Sequence, residues 1–210
     1  MTRPVVLFDW DGTLVDNWPV IHEALGIARE SFGLPPWAFA ETMRHVSRSG
    51  RESFPKMFGE EWRRASDMFY AAFEARHLDA LMLLPGAEAC LDRLEAAGFP
   101  LAVVSNKSGL FLRREAGRLG WTGRFEALVG AGDARLDKPD AAPVRMALGG
   151  RPGFWLVGDS DTDIRTARNA GLRSAVVPYA GGPALSLNAD ALCDSLAAIP
   201  DLVAFSHGIN

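Results

Sequence analysis

Five short apolar runs punctuate the chain, each closed by polar or turn residues. They are Val5-Val6-Leu7-Phe8, Leu101-Ala102-Val103-Val104, Ala127-Leu128-Val129, Phe154-Trp155-Leu156-Val157 and Ala175-Val176-Val177. Runs this short, rich in β-branched and aromatic residues and without polar alternation, predict strands buried on both faces of a parallel sheet. Between them the apolar spacing turns helical. From Gly86 to Ala97, the residues Ala89, Leu91, Leu94 and Ala97 recur on a helical period, and Gly98 follows as a C-cap signal. Strand and helix in alternation predict an α/β fold with a doubly wound, mostly parallel sheet.

One stretch breaks the alternation. Between about Asn17 and Leu83 no strand is expected, whereas Trp18, Ile21, Leu25, Ala28 and Phe32 repeat at helical spacing, as do Trp62, Ala65, Phe69 and Phe73. Pro35-Pro36 and Gly50 punctuate the segment, and Pro85-Gly86 marks the return to the sheet. The expected organisation is a discontinuous core, residues 1–16 and 84–210, with a helical domain of residues 17–83 inserted after the first strand.

Composition narrows the class. With 210 residues, 48% hydrophobic, 23% charged and a net charge of −4, the chain can bury a full core and is not disordered. No basic run exceeds two residues, so there is no electrostatic footprint for nucleic acid. Nowhere do 18 apolar residues run together as a membrane span needs, and the opening apolar run, too short and too soon charged, is not expected to be a signal peptide. Cys90 and Cys193 are too few and too far apart for a disulfide scaffold or a thiolate zinc site, and are expected as thiols in or near the core. The expectation is a soluble, cytoplasmic monomer or homodimer whose partner is a small molecule.

Four polar groupings come directly after expected strands, where open α/β sheets bind ligands. Asp9-Trp10-Asp11-Gly12-Thr13 puts two carboxylates two residues apart, with Gly12 permitting the turn. Ser105-Asn106-Lys107 offers a hydroxyl, an amide and a cation suited to an anion. Lys138-Pro139 places a cation on a loop before a helix. Gly158-Asp159-Ser160-Asp161-Thr162-Asp163 is a second carboxylate cluster. Mg²⁺ takes oxygen ligands, usually one or two carboxylates plus substrate phosphate. A carboxylate can attack phosphorus once a cation neutralises the repulsion, and a neighbouring carboxyl can act as acid and then base. Acids, a metal and a counter-cation around one phosphoryl group are the ingredients of phosphate-ester chemistry.

These residues resemble the haloacid dehalogenase-like superfamily, in particular its phosphoglycolate phosphatase-like branch with a small helical cap. The family's D-x-D-G-T-[LV]-x-D stands here as Asp9-Trp10-Asp11-Gly12-Thr13-Leu14-Val15-Asp16, and the other three motifs come in order over essentially the whole chain. The resemblance implies a Rossmann-like core with an inserted α-helical cap, Mg²⁺ as cofactor and a small phosphate ester as substrate. It implies Asp9 as nucleophile and metal ligand, and Asp11 as acid/base with its main-chain carbonyl on the metal. Ser105 and the amide of Asn106 would hold phosphoryl oxygens, with Lys107 beside them in the same substrate-binding motif. Lys138 would neutralise the nucleophile. Asp159 would be the third protein ligand to Mg²⁺, with Asp163 ordering metal-bound water or Lys138. An aspartate at position 11 favours phosphate esters over dehalogenation. The branch's K-P-x-P-x-P is here Lys138-Pro139-Asp140-Ala141-Ala142-Pro143, without the middle proline, which leaves the lysine's role in place.

Competing readings of the same residues are weaker. A calcium loop starting at Asp159 would need glycine and glutamate where Ile164 and Ala170 stand. Gly130-Ala131-Gly132 lacks the third glycine of a dinucleotide fingerprint, its place held by Arg135, and reads as a sheet-end loop. Asp16 is expected as a helix N-cap, and His45 has no role beyond packing. In the insertion, Arg44, Arg48, Arg51 and Lys56 face one acid, Glu52, between positions 44 and 56. If that segment is helical the arginines share a face, and Arg48 and Arg51 would hold a second anionic group of the substrate; a solvated face is the alternative. Two other functions fit the motifs: a phosphomutase of the same fold, and a phosphate-binding regulatory protein without turnover.

Overall fold

The computed structural model describes residues 3–46, 48–180, 182–183 and 185–208. Six strands form one sheet: β1 (Val5–Phe8), β4 (Leu101–Ser108), β5 (Phe125–Ala131), β6 (Gly153–Gly158), β7 (Arg173–Val176) and β8 (Ala191–Leu192). Their order is β5-β4-β1-β6-β7-β8, and every neighbouring pair is parallel. The apolar runs form strands because their alternate side chains have a core on each face. From β1, Val6 and Phe8 enter one cluster while Val5 and Leu7 enter the other. The first cluster also takes Leu91 and Leu94 of α5 (Ala87–Ala96), Leu112 of α6 (Gly109–Arg118) and Val203 of α9 (Ile199–Ser206). The second takes Val144 of α7 (Ala142–Leu148) and Ala167 of α8 (Asp161–Ala170). Helices on both faces of a parallel sheet make the doubly wound α/β fold that the apolar runs predict.

The details shift in two places. The buried face of α5 is Ala87, Cys90, Leu91 and Leu94, an i, i+3, i+4, i+7 stripe that leaves Ala89 outside. Gly98, at φ 76°, stands just past the helix end as the C-cap reading expects. β8 is a two-residue edge strand whose sequence is too short to signal itself.

Among the described residues, four α-helices fall between residues 17 and 83: α1 (Trp18–Ser31), α2 (Phe39–His45), α3 (Gly50–Phe58) and α4 (Trp62–Glu74). They enclose apolar contacts of their own. Leu25 and Ala28 pack with Phe54, Phe58 and Ala65, while Trp18 and Ile21 pack with Met43, Phe73 and Phe111 of α6. The stretch is not free of strands. β2 (Val15–Asp16) pairs antiparallel with β3 (Met82–Leu83), Val15 opposite Leu83, so the chain leaves and re-enters the core through one two-stranded ribbon. Single pairs this short carry no periodicity for a sequence reading to find. Asp16 belongs to this ribbon and does not cap α1; the N-cap position is Asn17. The three insertion arginines do not share a helical face, because Arg44 lies near the end of α2, Arg48 lies between helices and Arg51 starts α3.

Candidate active site

β1, β4 and β6 lie side by side at the centre of the sheet, so the loops leaving their carboxyl ends converge. Asp9 stands directly after β1, with its amide bonded to the Val157 carbonyl at 2.8 Å. Trp10 turns inward to the core and Asp11 outward, as the alternation of extended backbone dictates. Gly12 then takes φ 84°, and a Cβ there would lie 2.7 Å from Asp159 Oδ2. Glycine is needed at this position for both reasons.

Two lysines are buried in the site, each between carboxylates. Lys138 Nζ lies 2.9 Å from Asp9 Oδ1 and 2.7 Å from Asp163 Oδ1. Burial alone would lower its ammonium, but Asp163 and Asp9 outweigh burial and raise it. Asp9 is pushed up to about 6 by burial, with Lys138 opposing and Asp163 adding repulsion. Asp159 is raised well above the usual carboxylate range by burial and by the charges of Asp163 and Asp9. One oxygen from each of Asp9, Asp159 and Asp163 lies within 4.8 Å of the others. Asp163 is the most committed of the three. Its Oδ1 takes Lys138, and its Oδ2 accepts from Ser160 Oγ at 2.7 Å and the Ser160 amide at 3.1 Å.

Lys107 Nζ sits 3.0 Å from both oxygens of Asp11 and 3.2 Å from Glu115 Oε1, above the Phe73 ring. It is therefore held against the carboxylates and does not project as a free cation. Burial would lower it, but Asp11 and Glu115 raise it. Asp11 is raised by burial, with Lys107 opposing and Glu115 adding repulsion. Asn17 donates to Asp11 Oδ1 at 2.8 Å and to Glu115 Oε2 at 2.9 Å, which explains why its side chain makes no cap bond to α1.

Ser105 is buried and its Oγ accepts from the Lys107 amide at 3.2 Å, while Asn106 Nδ2 donates to the Lys138 carbonyl at 3.2 Å. Both line a cavity of about 380 Å³ shared with Asp9, Asp11, Lys107, Lys138 and Asp159. All four motifs thus meet at one place. The arginines divide. Arg48 borders the cavity while pairing with Glu52 at 2.9 Å. Arg51 is drawn to Asp137, 2.5 Å from Nε and 2.6 Å from Nη2, and does not line the cavity.

Several residues with a part in the site escape a reading of the sequence. Glu115 is fully buried and accepts from Trp10 Nε1 at 2.7 Å, Asn17 at 2.9 Å and His77 Nδ1 at 2.8 Å, besides facing Lys107. Burial would raise it, but Lys107, His77 and Trp10 hold it below the usual glutamate range. Its signal is present, since it stands on the apolar stripe of α6 with Phe111, Leu112 and Ala116. Tyr179 gives none. It borders the cavity and donates to Asp16 Oδ1 at 2.9 Å, with burial and then Asp16 pushing its hydroxyl up to about 12.

The chain is similar to known proteins in sequence and fold. The family model described as haloacid dehalogenase-like hydrolase matches residues 6–177. A phosphoglycolate phosphatase of Chromobacterium violaceum is 32% identical over 211 residues, covering 94% of this chain and 95% of its own. A plasmid-borne phosphoglycolate phosphatase of Cupriavidus necator is 33% identical over 217 residues, covering 94% and 92%. Among solved structures, a haloacid dehalogenase-like family hydrolase from Streptococcus pneumoniae matches with a TM-score of 0.81 at 19% identity, over 95% of this chain and 97% of that one. A Rhodobacter sphaeroides protein crystallised with phosphate matches with a TM-score of 0.78 at 22% identity, over 93% and 95%. At such identities the structural likeness speaks for the fold.

Proposed function

The chain belongs to the haloacid dehalogenase-like hydrolase family, and from that premise we propose that it is a Mg²⁺-dependent phosphomonoester hydrolase. It would act on small phosphorylated metabolites through an aspartyl-phosphate on Asp9. The observation that carries this reading is Lys138, bound at 2.9 Å to Asp9 and at 2.7 Å to Asp163, with Asp159 in the same cluster. A nucleophilic carboxylate beside a fixed cation and further acids is what attack on a phosphate dianion needs.

The donors fit Mg²⁺. They are all oxygens, and Asp159, raised by burial and then by the charges of Asp163 and Asp9, is a carboxylate that a bound cation would stabilise. Asp9 and Asp159 would hold the ion, together with the main-chain carbonyl of Asp11. The ion supplies charge neutralisation for the phosphoryl oxygens. Asp163, with both oxygens engaged, instead fixes Lys138.

The chain's own residues do the rest. An oxygen of Asp9 bonds to phosphorus as the ester oxygen departs. Asp11, whose carboxyl is raised towards its protonated form, gives that oxygen a proton and later takes one from the water that hydrolyses the acyl phosphate. Ser105 and the Asn106 amide hold phosphoryl oxygens, with Lys107 keeping Asp11 in place. The two buried thiols, unpaired with each other, support a cytoplasmic setting.

Phosphate release from p-nitrophenyl phosphate and a metabolite panel headed by phosphoglycolate tests the proposal, with Mg²⁺ or EDTA, for wild type and Asp9→Asn. Release that needs Mg²⁺ and disappears in the variant supports it. A folded wild type that releases nothing, or an Asp9→Asn protein of full activity, removes it.

A further inference from the structure

The cavity above the carboxylates has two unlike halves. Its floor is the charged cluster of Asp9, Asp11, Lys138 and Asp159, and its roof is Ile21, Leu25, Phe54, Met57, Phe69 and Phe73 from α1, α3 and α4. At about 380 Å³ the space falls in the range of sites that enclose an organic ligand of moderate size.

Most cations near it are already paired with carboxylates. Lys138 and Lys107 are bound to carboxylates on the floor, and Arg51 is bound to Asp137. Arg48 pairs with Glu52, and Arg44 and Arg165 line the cavity while remaining exposed to solvent. Among the described residues no lysine or arginine stands in the roof. A second anion placed among the roof side chains, away from Arg44, Arg48 and Arg165, would therefore be buried against hydrocarbon at a desolvation cost. Among the neutral donors that line the space, Trp18 Nε1 is buried and without a partner.

Building on the phosphatase reading, we infer that the preferred substrate is a phosphomonoester with an uncharged, largely apolar organic group. The phosphate rests on the carboxylate–lysine floor and the hydrocarbon or aromatic part fills the roof. An ether or hydroxyl oxygen close to the ester would meet Trp18 Nε1–H. Each methylene taken from water into the roof strengthens binding by about fourfold.

Primary alkyl monoesters test this without the bias of leaving-group reactivity. Ethyl, butyl, hexyl and 2-phenylethyl phosphate are compared with phosphoglycolate by kcat/KM in the Mg²⁺-loaded enzyme. The expected result is a rise of about fourfold per methylene until the cavity fills, with phosphoglycolate no better than ethyl phosphate. Met57→Ala, which trims the roof, should cost the hexyl ester several-fold more than it costs ethyl phosphate. A flat chain-length series, or phosphoglycolate ahead of butyl and hexyl phosphate, overturns the inference. Calorimetric binding of hexylphosphonate against phosphonoacetate reads the cavity without turnover. If no ester is hydrolysed but hexylphosphonate binds more tightly, the phosphatase reading falls while the apolar roof stands. If phosphonoacetate binds more tightly, the roof inference falls whatever the activity.

Discussion

Arg51 on α3 grips Asp137, the residue next to Lys138, through two parallel hydrogen bonds of 2.5 and 2.6 Å. Asp137 is almost wholly buried, at 1% side-chain exposure, and also accepts from the Gly132 amide at 3.0 Å; the Arg51 side chain is 42% exposed. The pair ties the helical insertion to the loop that carries the site's lysine. A fork of this kind is stronger than a single ion pair, though solvent at the arginine weakens it.

Arg51→Ala should therefore cost about 1–2 kcal/mol of stability, discounted for that solvent. It should also lower kcat/KM by roughly tenfold as Lys138 loses its anchor. Asp137→Ala should do the same, and the double variant little more than either alone. Thermal unfolding and steady-state kinetics on the cycle read both. Fully additive losses would show that the two residues act separately.

Glu115 gathers four donors while exposing nothing, so its loss strands each of them. Removing one member of a buried charged cluster costs roughly 3–5 kcal/mol. Glu115→Ala should lose that much in urea unfolding, and Lys107 should then loosen its hold on Asp11. A loss under about 1 kcal/mol would mean the network relaxes without it.

The same carboxylate makes stability depend on acid. Its folded value lies below the ordinary 4.5, so its contribution is fully present above that pH and fades as pH falls through the lower folded value. Wild type should exceed Glu115→Gln in melting temperature at neutral pH, with the gap narrowing below pH 4.5. A gap that widens on acidification would reverse the sign of the shift.

Much of the fold is legible in the residues themselves. Leu101 to Val104 and Phe154 to Val157 are apolar at every position because both faces of a central parallel strand are covered, and few other environments select such runs. The four motifs are legible because Asp9 follows β1, Ser105 lies in the last half of β4, Asp159 follows β6 and Lys138 stands on the loop after β5, so the parallel order alone brings them together. The features that stay hidden depend on tertiary partners. Arg51 carries the same charge whether it faces a substrate or Asp137, 86 residues away. Asp16 looks like a helix cap until Tyr179, 163 residues further along the chain, donates to it. The β2–β3 ribbon joins segments far apart in the chain with two residues each, too few to leave a pattern.

Cys90 and Cys193 are both buried, and burial pushes the Cys90 thiol up to about 12. Since the thiolate is the reactive form, neither should react with a disulfide reagent at neutral pH in the folded protein. Both should titrate within seconds in denaturant. Rapid reaction of one thiol in native buffer would show that its segment opens easily.

Gly12 offers the sharpest test of the site's geometry, because two constraints meet on one hydrogen atom. Its φ of 84° is costly for any residue with a side chain, by about 1–2 kcal/mol. A methyl group there would also stand 2.7 Å from Asp159 Oδ2 and 2.8 Å from Trp18 Nε1, so one or both must shift. Asp159 is a proposed metal ligand, and displacement of a reacting group by about 1 Å can cost 10²-fold in rate. Gly12→Ala should thus unfold only a few degrees below wild type while losing about 10²-fold in kcat/KM. It should also need more Mg²⁺ for half-maximal activity. An equal fall in stability with activity and Mg²⁺ dependence unchanged would separate Asp159 from the chemistry.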